Sequence, residues 1–245
     1  GIIPARYGSS RFPGKPLEFI LGKPMIQHVY ERCQTSKLLD HLYVATDDDR
    51  IREVVEGFGG KVIMTRAAHE SGTDRLAEAV ESIDSSIIVN IQGDQPFFNP
   101  MMIEEGVKPL LEDPTVELST LMYPIEREED LHDIGVVKVV VNLAGNAMYF
   151  SRSLIPYSRN GAVHQVYEHV GLYVYRKATL QRLATLPMTV LEGVESLEQL
   201  RWLEHSIPIR VVETLCEDKA LSGFSIDTPE DLRRGEEMFL ERCSG

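Results

Sequence analysis

The amino-acid sequence predicts an α/β protein with a doubly wound, mostly parallel β-sheet and a smaller mixed-sheet region in its second half. In the first part of the chain, short apolar runs alternate with amphipathic helix-like stretches, as in successive β–α–β units. The strongest strand signal is Ser86–Gln92, a mostly apolar run that stops at Gly93-Asp94. From about Val116 onward, strand-like segments follow one another with less helix between them. We therefore expect ligands to bind beyond the carboxyl ends of the parallel strands.

The predicted elements of the first half alternate strand and helix in this order: strand Leu42–Thr46, helix Asp49–Glu56 ended by Gly57, strand Lys61–Met64, a helix from an N-cap at Thr73 through Ile83, strand Ser86–Gln92, and helix Met101–Leu111. Asp74 in the first turn of the Thr73 helix favours that start, because a carboxylate is stabilised near a helix N-terminus.

The second half contains mainly strands, which we predict at Leu118–Tyr123, Val136–Val141, Ala147–Phe150 and Gly171–Tyr175. A helix is expected over Ser196–His205, and a strand around Phe224–Ile226 is followed by a charged helix to about Arg242. Thr228 as the cap and Pro229 in the first turn both favour this last helix start. The 245 residues, 43% of them hydrophobic, are enough for a single domain over residues 1–245.

Composition excludes several classes of protein. The net charge of −13 argues against a nucleic-acid binder, because a polyanion would be repelled. No apolar run approaches the roughly 18 residues of a membrane helix, and the sequence opens in strand-like Ile2-Ile3 with no visible signal peptide. The cysteines, Cys33, Cys216 and Cys243, match no zinc or disulfide framework. We expect reduced thiols and a cytoplasmic protein.

The loop after the first strand, Pro4–Leu17, is the most informative segment. Its small residues let the backbone close on a phosphate, while Arg6, Arg11 and Lys15 supply positive charge. The alternative is a surface turn that is basic by chance. A Walker A loop is excluded because five residues separate Gly8 from Gly14 and a proline follows Lys15, and no G-x-G-x-x-G fingerprint is present.

This loop resembles the signature loop of the nucleotidyltransferases that make activated sugars, and in particular the 3-deoxy-manno-octulosonate cytidylyltransferases. The resemblance runs nearly end to end. It is carried by further motifs, in chain order YVATD (43–47), SGTDR (71–75), NIQGDQP (90–96), YFSR (149–152), HVGLYVY (169–175), ESLEQLR (195–201) and DTPEDL (227–232).

The resemblance implies a nucleotide-diphospho-sugar transferase-like fold and a Mg²⁺-dependent reaction. CMP would pass from CTP to the anomeric hydroxyl of a keto-deoxy sugar acid, 3-deoxy-manno-octulosonate (KDO), with release of pyrophosphate, for lipopolysaccharide biosynthesis. It also implies a homodimer built through about residues 124–175, which would include sugar-binding segments.

The same resemblance assigns candidate site residues. The catalytic group is Arg6, Lys15, Asp94 and Asp227, and the two aspartates would bind the metal, which prefers carboxylate oxygens. The nucleotide group is Ala5, Arg6, Ser9, Lys15, Ser71, Thr73, Arg75 and Gln92. The sugar group is Gln95, Arg152, His169, Tyr173, Glu195 and Gln199.

Each assignment has a structural alternative. Asp94 and Asp227 could simply cap the turn or helix that follows them. Arg152 could pair with an acid, His169 could be a satisfied core residue, and the acids near Gln199 could lie on a solvated helix face.

One position departs from the usual family pattern, which has Glu where this chain has Gln95. The departure leaves the sugar open between octulosonate and its 8-amino analogue. Two rival functions also stay open: a CMP-sialic acid synthetase, and a catalytically silent nucleotide-binding domain on the same fold.

Overall fold

The computed structural model describes residues 1–8, 12–69 and 71–243, without the side chains of residues 219, 220, 242 and 243. The strands are β1 Ile2–Ala5, β2 Phe19–Ile20, β3 Lys23–Pro24, β4 Tyr43–Thr46, β5 Val62–Met64, β6 Ile87–Asn90, β7 Leu118–Pro124, β8 Lys138–Val141, β9 Ala147–Ser151, β10 Tyr167–Arg176 and β11 Arg210–Glu213. The helices are α1 Met25–Cys33, α2 Asp49–Gly57, α3 Gly72–Ala79, α4 Met101–Glu112, α5 Glu128–His132, α6 Lys177–Leu183, α7 Val190–Glu195, α8 Gln199–Glu204, α9 Lys219–Ser222 and α10 Pro229–Cys243.

One large sheet organises the chain, with the strand order β11-β7-β10-β6-β1-β4-β5. Strands β6, β1, β4 and β5 are parallel, and β7 is parallel to β11. Only β10 in this row runs antiparallel to both of its neighbours. The prediction of a mostly parallel sheet is confirmed, and the carboxyl ends of β1, β4 and β6 meet at one edge, where a ligand site is expected.

Helices cover both faces of this sheet, as the doubly wound prediction requires. Side chains of α1, α2 and α4 form the core on one face, and those of α3, α6 and α8 form the core on the other. A third, smaller cluster joins distant parts of the chain. It contains Phe12, Ile20, Met25, Phe97 and Ile226, with Phe224, Leu232 and Phe239 packed against it. We call it the loop cluster, because it ties together the loop after β1, the turn after β6 and the segment before α10.

The mixed-sheet region is a β8–β9 hairpin attached to the first residues of β10, where Lys138 pairs with Glu168. It continues the main sheet at the side of β10. A bulge interrupts the β10–β7 pairing between Val170 and Tyr173. The bulge turns the carbonyl of Gly171 toward Gln92, whose Nε2 donates to it at 2.8 Å. The predicted role of residues 124–175 in dimerisation stays a prediction.

Three details differ from the sequence-based expectations. The cap of α3 is Ser71, not Thr73, and Ser71 and Asp74 form a reciprocal capping box at 3.1 Å in each direction. The helix expected over 196–205 is divided, because Ser196 adopts a left-handed conformation (φ 53°) that ends α7, and α8 begins only at Gln199. The predicted strand around Phe224–Ile226 is wrong, since this segment is irregular there and is tied to the site by the Ile226 N–H, which donates to the Asp94 carbonyl at 2.9 Å.

Candidate active site

Three segments that are far apart in sequence meet at the carboxyl edge of the sheet: the loop after β1, the turn after β6, and the residues before α10. Gly14 makes the tight end of the first loop, because its φ of +74° lies in the left-handed region and a Cβ there would lie 3.1 Å from the Tyr7 ring. Its N–H donates to the Tyr7 carbonyl at 2.9 Å. Lys15 follows immediately, at the start of a short 3₁₀ turn, and is thereby aimed at the other two segments.

Lys15 lies between two carboxylates. Its Nζ is 2.8 Å from Asp94 Oδ2 and 3.1 Å from Asp227 Oδ1. Burial alone would lower the pKa of Lys15, but the two carboxylates outweigh it and raise that pKa above its usual value. Lys15 therefore carries a full positive charge in the physiological range, and two acidic groups converge on one point.

The capping alternative for Asp227 is wrong. Thr228 caps α10, since its Oγ1 accepts from the Asp231 N–H at 3.2 Å while the Asp231 carboxylate accepts from the Thr228 N–H at 2.8 Å. This confirms the predicted cap. The Asp227 side chain points instead to Lys15.

A first cavity of about 500 Å³ opens beside this cluster. Its lining contains eight of the predicted residues, namely Ala5, Arg6, Lys15, Ser71, Arg75, Gln92, Asp94 and Asp227. The turn can lie close to the strand because Gly93 has no Cβ, which would be 3.0 Å from the Pro4 carbonyl. The motif residues of four separate segments are therefore brought together around one volume. Ser9, and Arg11 of the basic loop, lie outside the described residues.

Two members of the predicted nucleotide group have other partners. Arg75 lines the first cavity, but its Nη2 is 2.9 Å from Asp47 Oδ1 and its Nη1 donates to Thr65 Oγ1 at 2.6 Å. This buried pair ties α3 to the ends of β4 and β5. Thr73 is buried and donates its hydroxyl to Glu198 at 2.6 Å.

A second cavity of about 600 Å³ lies on the other side of the aspartates. It shares Gln92, Asp94 and Asp227 with the first cavity, and Gln95 and His169 also line it. His169 Nε2 lies 2.9 Å from Thr120 Oγ1, and burial lowers the pKa of His169 to about 3. His169 is thus a neutral hydrogen-bonding group in this wall. The two cavities together form one cleft divided by the carboxylates.

The remaining predicted sugar residues line neither cavity, although Tyr173 packs against His169 with ring centroids 5.4 Å apart. Tyr173 packs in the core edge-on against Trp202, with ring centroids 5.1 Å apart, and Gln199 is buried at the start of α8. Two hydrogen bonds join Arg152 and Glu195. The Glu195 carboxylate accepts from the backbone N–H of Arg152 at 2.9 Å, and Arg152 Nε donates to the backbone carbonyl of Glu195 at 2.8 Å. Arg152 Nη1 also donates to the Ile134 carbonyl at 2.8 Å.

These contacts tie β9 to the end of α7 through backbone carbonyls, so they differ from the structural alternative, in which Arg152 would pair with an acid. Its binding to a sugar carboxylate stays a prediction, and it would require these bonds to be exchanged.

Sequence reasoning did not single out two acids. Glu198 is buried beside Thr73, and burial raises its pKa. The sequence did not indicate that Glu198 is shielded from water, because the expected continuous helix placed it on a solvated face. Glu168 lines the second cavity, and burial raises its pKa to about 7. A hydrogen bond from Tyr123 lowers this pKa in part, and the charge of Asp130 raises it further.

The raised pKa of Glu168 predicts a pH-dependent stability. The usual pKa of Glu is about 4.5, so between pH 4.5 and pH 7 the Glu168 carboxyl is deprotonated in the unfolded chain but still protonated in the folded chain. Folding is therefore favoured at low pH, and this contribution, about 2 to 3 kcal/mol, is lost as the pH rises through 7. We expect Glu168→Gln to be more stable than wild type at pH 8 but not at pH 4.5.

Urea unfolding of both proteins between pH 4.5 and pH 8 measures this difference. Glu117→Gln is the control, because Glu117 is a surface carboxylate that pairs with Arg182 at 2.7 Å. A gap between wild type and Glu168→Gln that stays constant with pH would show that Glu168 titrates normally.

Comparison with known proteins gives one consistent family. The family model described as Cytidylyltransferase matches residues 1–211. A 3-deoxy-manno-octulosonate cytidylyltransferase of Syntrophotalea carbinolica is 53% identical, over 96% of each chain. An 8-amino-3,8-dideoxy-manno-octulosonate cytidylyltransferase of Shewanella piezotolerans is 49% identical, over 95% of this chain and 94% of its own.

Among solved structures, a CMP:2-keto-3-deoxy-manno-octonic acid synthetase complexed with CTP superposes with a TM-score of 0.92. The two chains are 44% identical, and the match covers 98% of each. The likeness therefore includes α10 and Asp227, which lie beyond the end of the family-model match.

Proposed function

The chain belongs to the cytidylyltransferase family, and we propose that it transfers CMP from CTP to the anomeric hydroxyl of 3-deoxy-manno-octulosonate, with release of pyrophosphate, as a step toward lipopolysaccharide. The observation that carries this proposal is the cleft of two cavities that meet at Asp94 and Asp227. A reaction between two substrates needs two adjoining pockets with the reactive groups at their common wall. Here that wall holds the converging charged groups.

The first cavity suits the nucleotide. Arg6 and Lys15 line it and provide positive charge for the triphosphate, and Ser71 and Gly72 present the N-terminus of α3. The related structure that was solved with CTP has the same fold over nearly its whole length. We therefore assign the triphosphate to the first cavity and the sugar acid to the second.

The chemical step is then a direct displacement at the α-phosphorus. A bond forms between the anomeric oxygen and this phosphorus, the bond to the bridging oxygen breaks, and pyrophosphate leaves with that electron pair. Lys15 is fixed beside Asp94 and Asp227 and can neutralise the negative charge that develops on the phosphoryl oxygens. A preorganised cation lowers the barrier because it needs no reorientation during the reaction.

We also propose that Asp94 and Asp227 hold Mg²⁺. Both carboxylates lie within about 3 Å of the same Lys15 Nζ, so hard oxygen donors converge on one point where a cation is already favoured. Across residues 1–8, 12–69 and 71–243 no three His, Cys, Asp or Glu side chains form a metal-binding group. Two carboxylates suffice for Mg²⁺, which commonly takes its other ligands from phosphates and water. When bound, the ion would polarise the phosphoryl group and lower the pKa of an attacking hydroxyl.

A homodimer in the cytoplasm completes the proposal. Five large apolar side chains between residues 134 and 163 are exposed, namely Ile134, Leu143, Met148, Tyr157 and Val163. Their concentration in the segment implied for dimerisation supports an interface there. The thiols of Cys33 and Cys216 are buried, as suits a reducing compartment. In the described part of the chain, no helix is long and apolar enough to cross a bilayer.

Two other functions fit less well. A silent nucleotide-binding domain should have lost some of the charged groups, yet Lys15, Asp94 and Asp227 are all present and in contact. The 8-amino analogue of the sugar is a closer candidate, because one relative is named for it and because Gln95 lines the second cavity.

Pyrophosphate release tests the proposal. With Mg²⁺ and octulosonate, CTP should be used at least about tenfold better than ATP or GTP at equal concentration, because small residues such as Ala5 let the backbone of the first cavity approach a pyrimidine ring closely. UTP is measured alongside. Reactions without sugar, and with a sialic acid in place of octulosonate, are the controls. Faster turnover with a purine triphosphate, or release that does not depend on the sugar, would contradict it.

A further inference from the structure

The second cavity contains hydrogen-bond acceptors that the reaction itself does not use. Its wall beyond the shared aspartates includes the carboxyl groups of Asp130, Asp133 and Glu168. The nearby Arg127 is occupied by Asp130 at 3.1 Å and by Glu129. The lining also includes Arg234, whose guanidinium lies over the Phe224 ring at 5.6 Å, so it is the side of the wall with Asp130, Asp133 and Glu168 that presents acceptors to whatever fills the cavity.

Gln95 presents a buried acceptor in the same cavity. Its side-chain Nε2 donates to the Gly223 carbonyl at 3.1 Å and to Ser225 Oγ at 3.4 Å. A backbone carbonyl can only accept, so this contact fixes which end of the amide is nitrogen. Gln95 is only 4% exposed, and within the described residues its Oε1 has no hydrogen-bond partner. A buried acceptor without a donor is costly, so a ligand group that donated to it would be stabilised there.

Glu168 is held in place by its neighbours on the sheet. It pairs in register with Tyr123 of β7 and Lys138 of β8. The Tyr123 hydroxyl donates to the Glu168 carboxylate, whereas Lys138 Nζ donates to the backbone carbonyls of Asp133 at 2.6 Å and Val136 at 2.8 Å. No salt bridge of the described residues includes Glu168. Its carboxyl group is thus positioned and largely removed from water, and although the charge of Lys138 is near enough to lower its pKa, the two groups form no salt bridge.

We propose that Gln95 Oε1 and the Glu168 carboxyl form a specificity subsite for a hydrogen-bond donor on the sugar acid, and that Glu168 sets how well a protonated amine is accepted relative to a hydroxyl. This inference rests on the proposed function and assigns it a substrate class. An ammonium group is only a donor, and its positive charge would form a charge-assisted hydrogen bond with the Glu168 carboxylate. A hydroxyl satisfies Gln95 equally but gains less from a carboxylate.

The experiment compares kcat/KM for octulosonate and for its 8-amino analogue at saturating CTP. Glu168→Gln should lower the value for the amino sugar at least about tenfold while changing that for octulosonate less than about threefold. Gln95→Met removes the acceptor and should raise KM for both sugars about tenfold, with KM for CTP unchanged. Glu117→Gln, at the opposite end of β7, is the matched control for both sugars.

Ser225→Ala keeps the test decisive if Gln95→Met does not fold, because it only loosens the Gln95 amide and should raise KM for both sugars more mildly. The role of Glu168 is overturned if folded Glu168→Gln has the same ratio of kcat/KM values for the two sugars as wild type. Unchanged sugar KM in folded Gln95→Met and Ser225→Ala overturns the subsite. Failure of the proposed function has a different signature, since wild type would then release no pyrophosphate from CTP with either sugar.

Discussion

Replacement of Asp94 or of Asp227 by Asn is expected to lower kcat about a thousandfold, equal to about 4 kcal/mol of transition-state stabilisation. Each carboxylate contacts Lys15 and faces the boundary of the two cavities. An amide keeps the shape but removes the charge that a metal ion requires, so raised Mg²⁺ should restore part of the activity. Steady-state pyrophosphate release at several Mg²⁺ concentrations measures both effects.

The control for this pair is Asp49→Asn, because Asp49 is a mostly exposed acid in the first turn of α2 that pairs with Arg52 at 3.1 Å. It should retain wild-type kcat. The assignment of Asp227 is contradicted if Asp227→Asn lowers only the melting temperature and leaves turnover unchanged. The structure makes that outcome unexpected, since Thr228 and Asp231 already cap α10.

Lys15→Met is expected to reduce kcat about a hundredfold, which corresponds to about 3 kcal/mol for the loss of one preorganised charged donor. Methionine preserves much of the side-chain volume, so the loop and its Gly14 turn should persist. The lost charge is the one held between Asp94 and Asp227. KM for the sugar should change less than kcat, because Lys15 lines the first cavity, which we assign to the triphosphate.

Lys23→Met provides the matched control for Lys15, because Lys23 is an exposed lysine that pairs with Glu31 at 2.6 Å. A second readout separates charge from shape: without nucleotide, Mg²⁺ should raise the melting temperature of Lys15→Met more than that of wild type. The reason is that the lysine no longer occupies the two carboxylates. A folded Lys15→Met enzyme with near-normal kcat would make the loop merely structural.

The sequence predicted the parallel half of the fold well because those elements carry local signals. The apolar run Ser86–Gln92 is itself typical of a buried strand, and β6 occupies Ile87–Asn90 within it. The capping residues before α10 identify its start. Two features depend on distant pairing and have no local signal. One is the antiparallel insertion of β10 between β6 and β7, and the other is the single hydrogen bond that replaces a strand at Ile226.

The grouping of residues around the first cavity was likewise predictable, since they lie in contiguous motifs, most of which follow parallel strands. The contacts of the residues assigned to the sugar were not. Whether Glu195 or Glu198 turns inward depends on where α7 ends, and the left-handed Ser196 decides that. Arg152 has the right chemistry for a carboxylate, but its hydrogen-bonding partners are backbone carbonyls that no sequence pattern reveals. Glu168 becomes notable only through burial in the folded sheet.

The loop cluster has a consequence for biosynthesis of the chain. A ribosome makes the protein from its amino end, so the loop after β1 and Asp94 emerge long before Asp227 and α10. Phe12 and Phe97 cannot complete their packing until Ile226, Phe224 and Phe239 arrive. A nascent chain can thus form most of the sheet while lacking one of the two carboxylates that hold Lys15. The Asp227 side of the candidate site is completed in a late step of synthesis, and cleavage of the chain before Asp227 would return it to that unfinished stage.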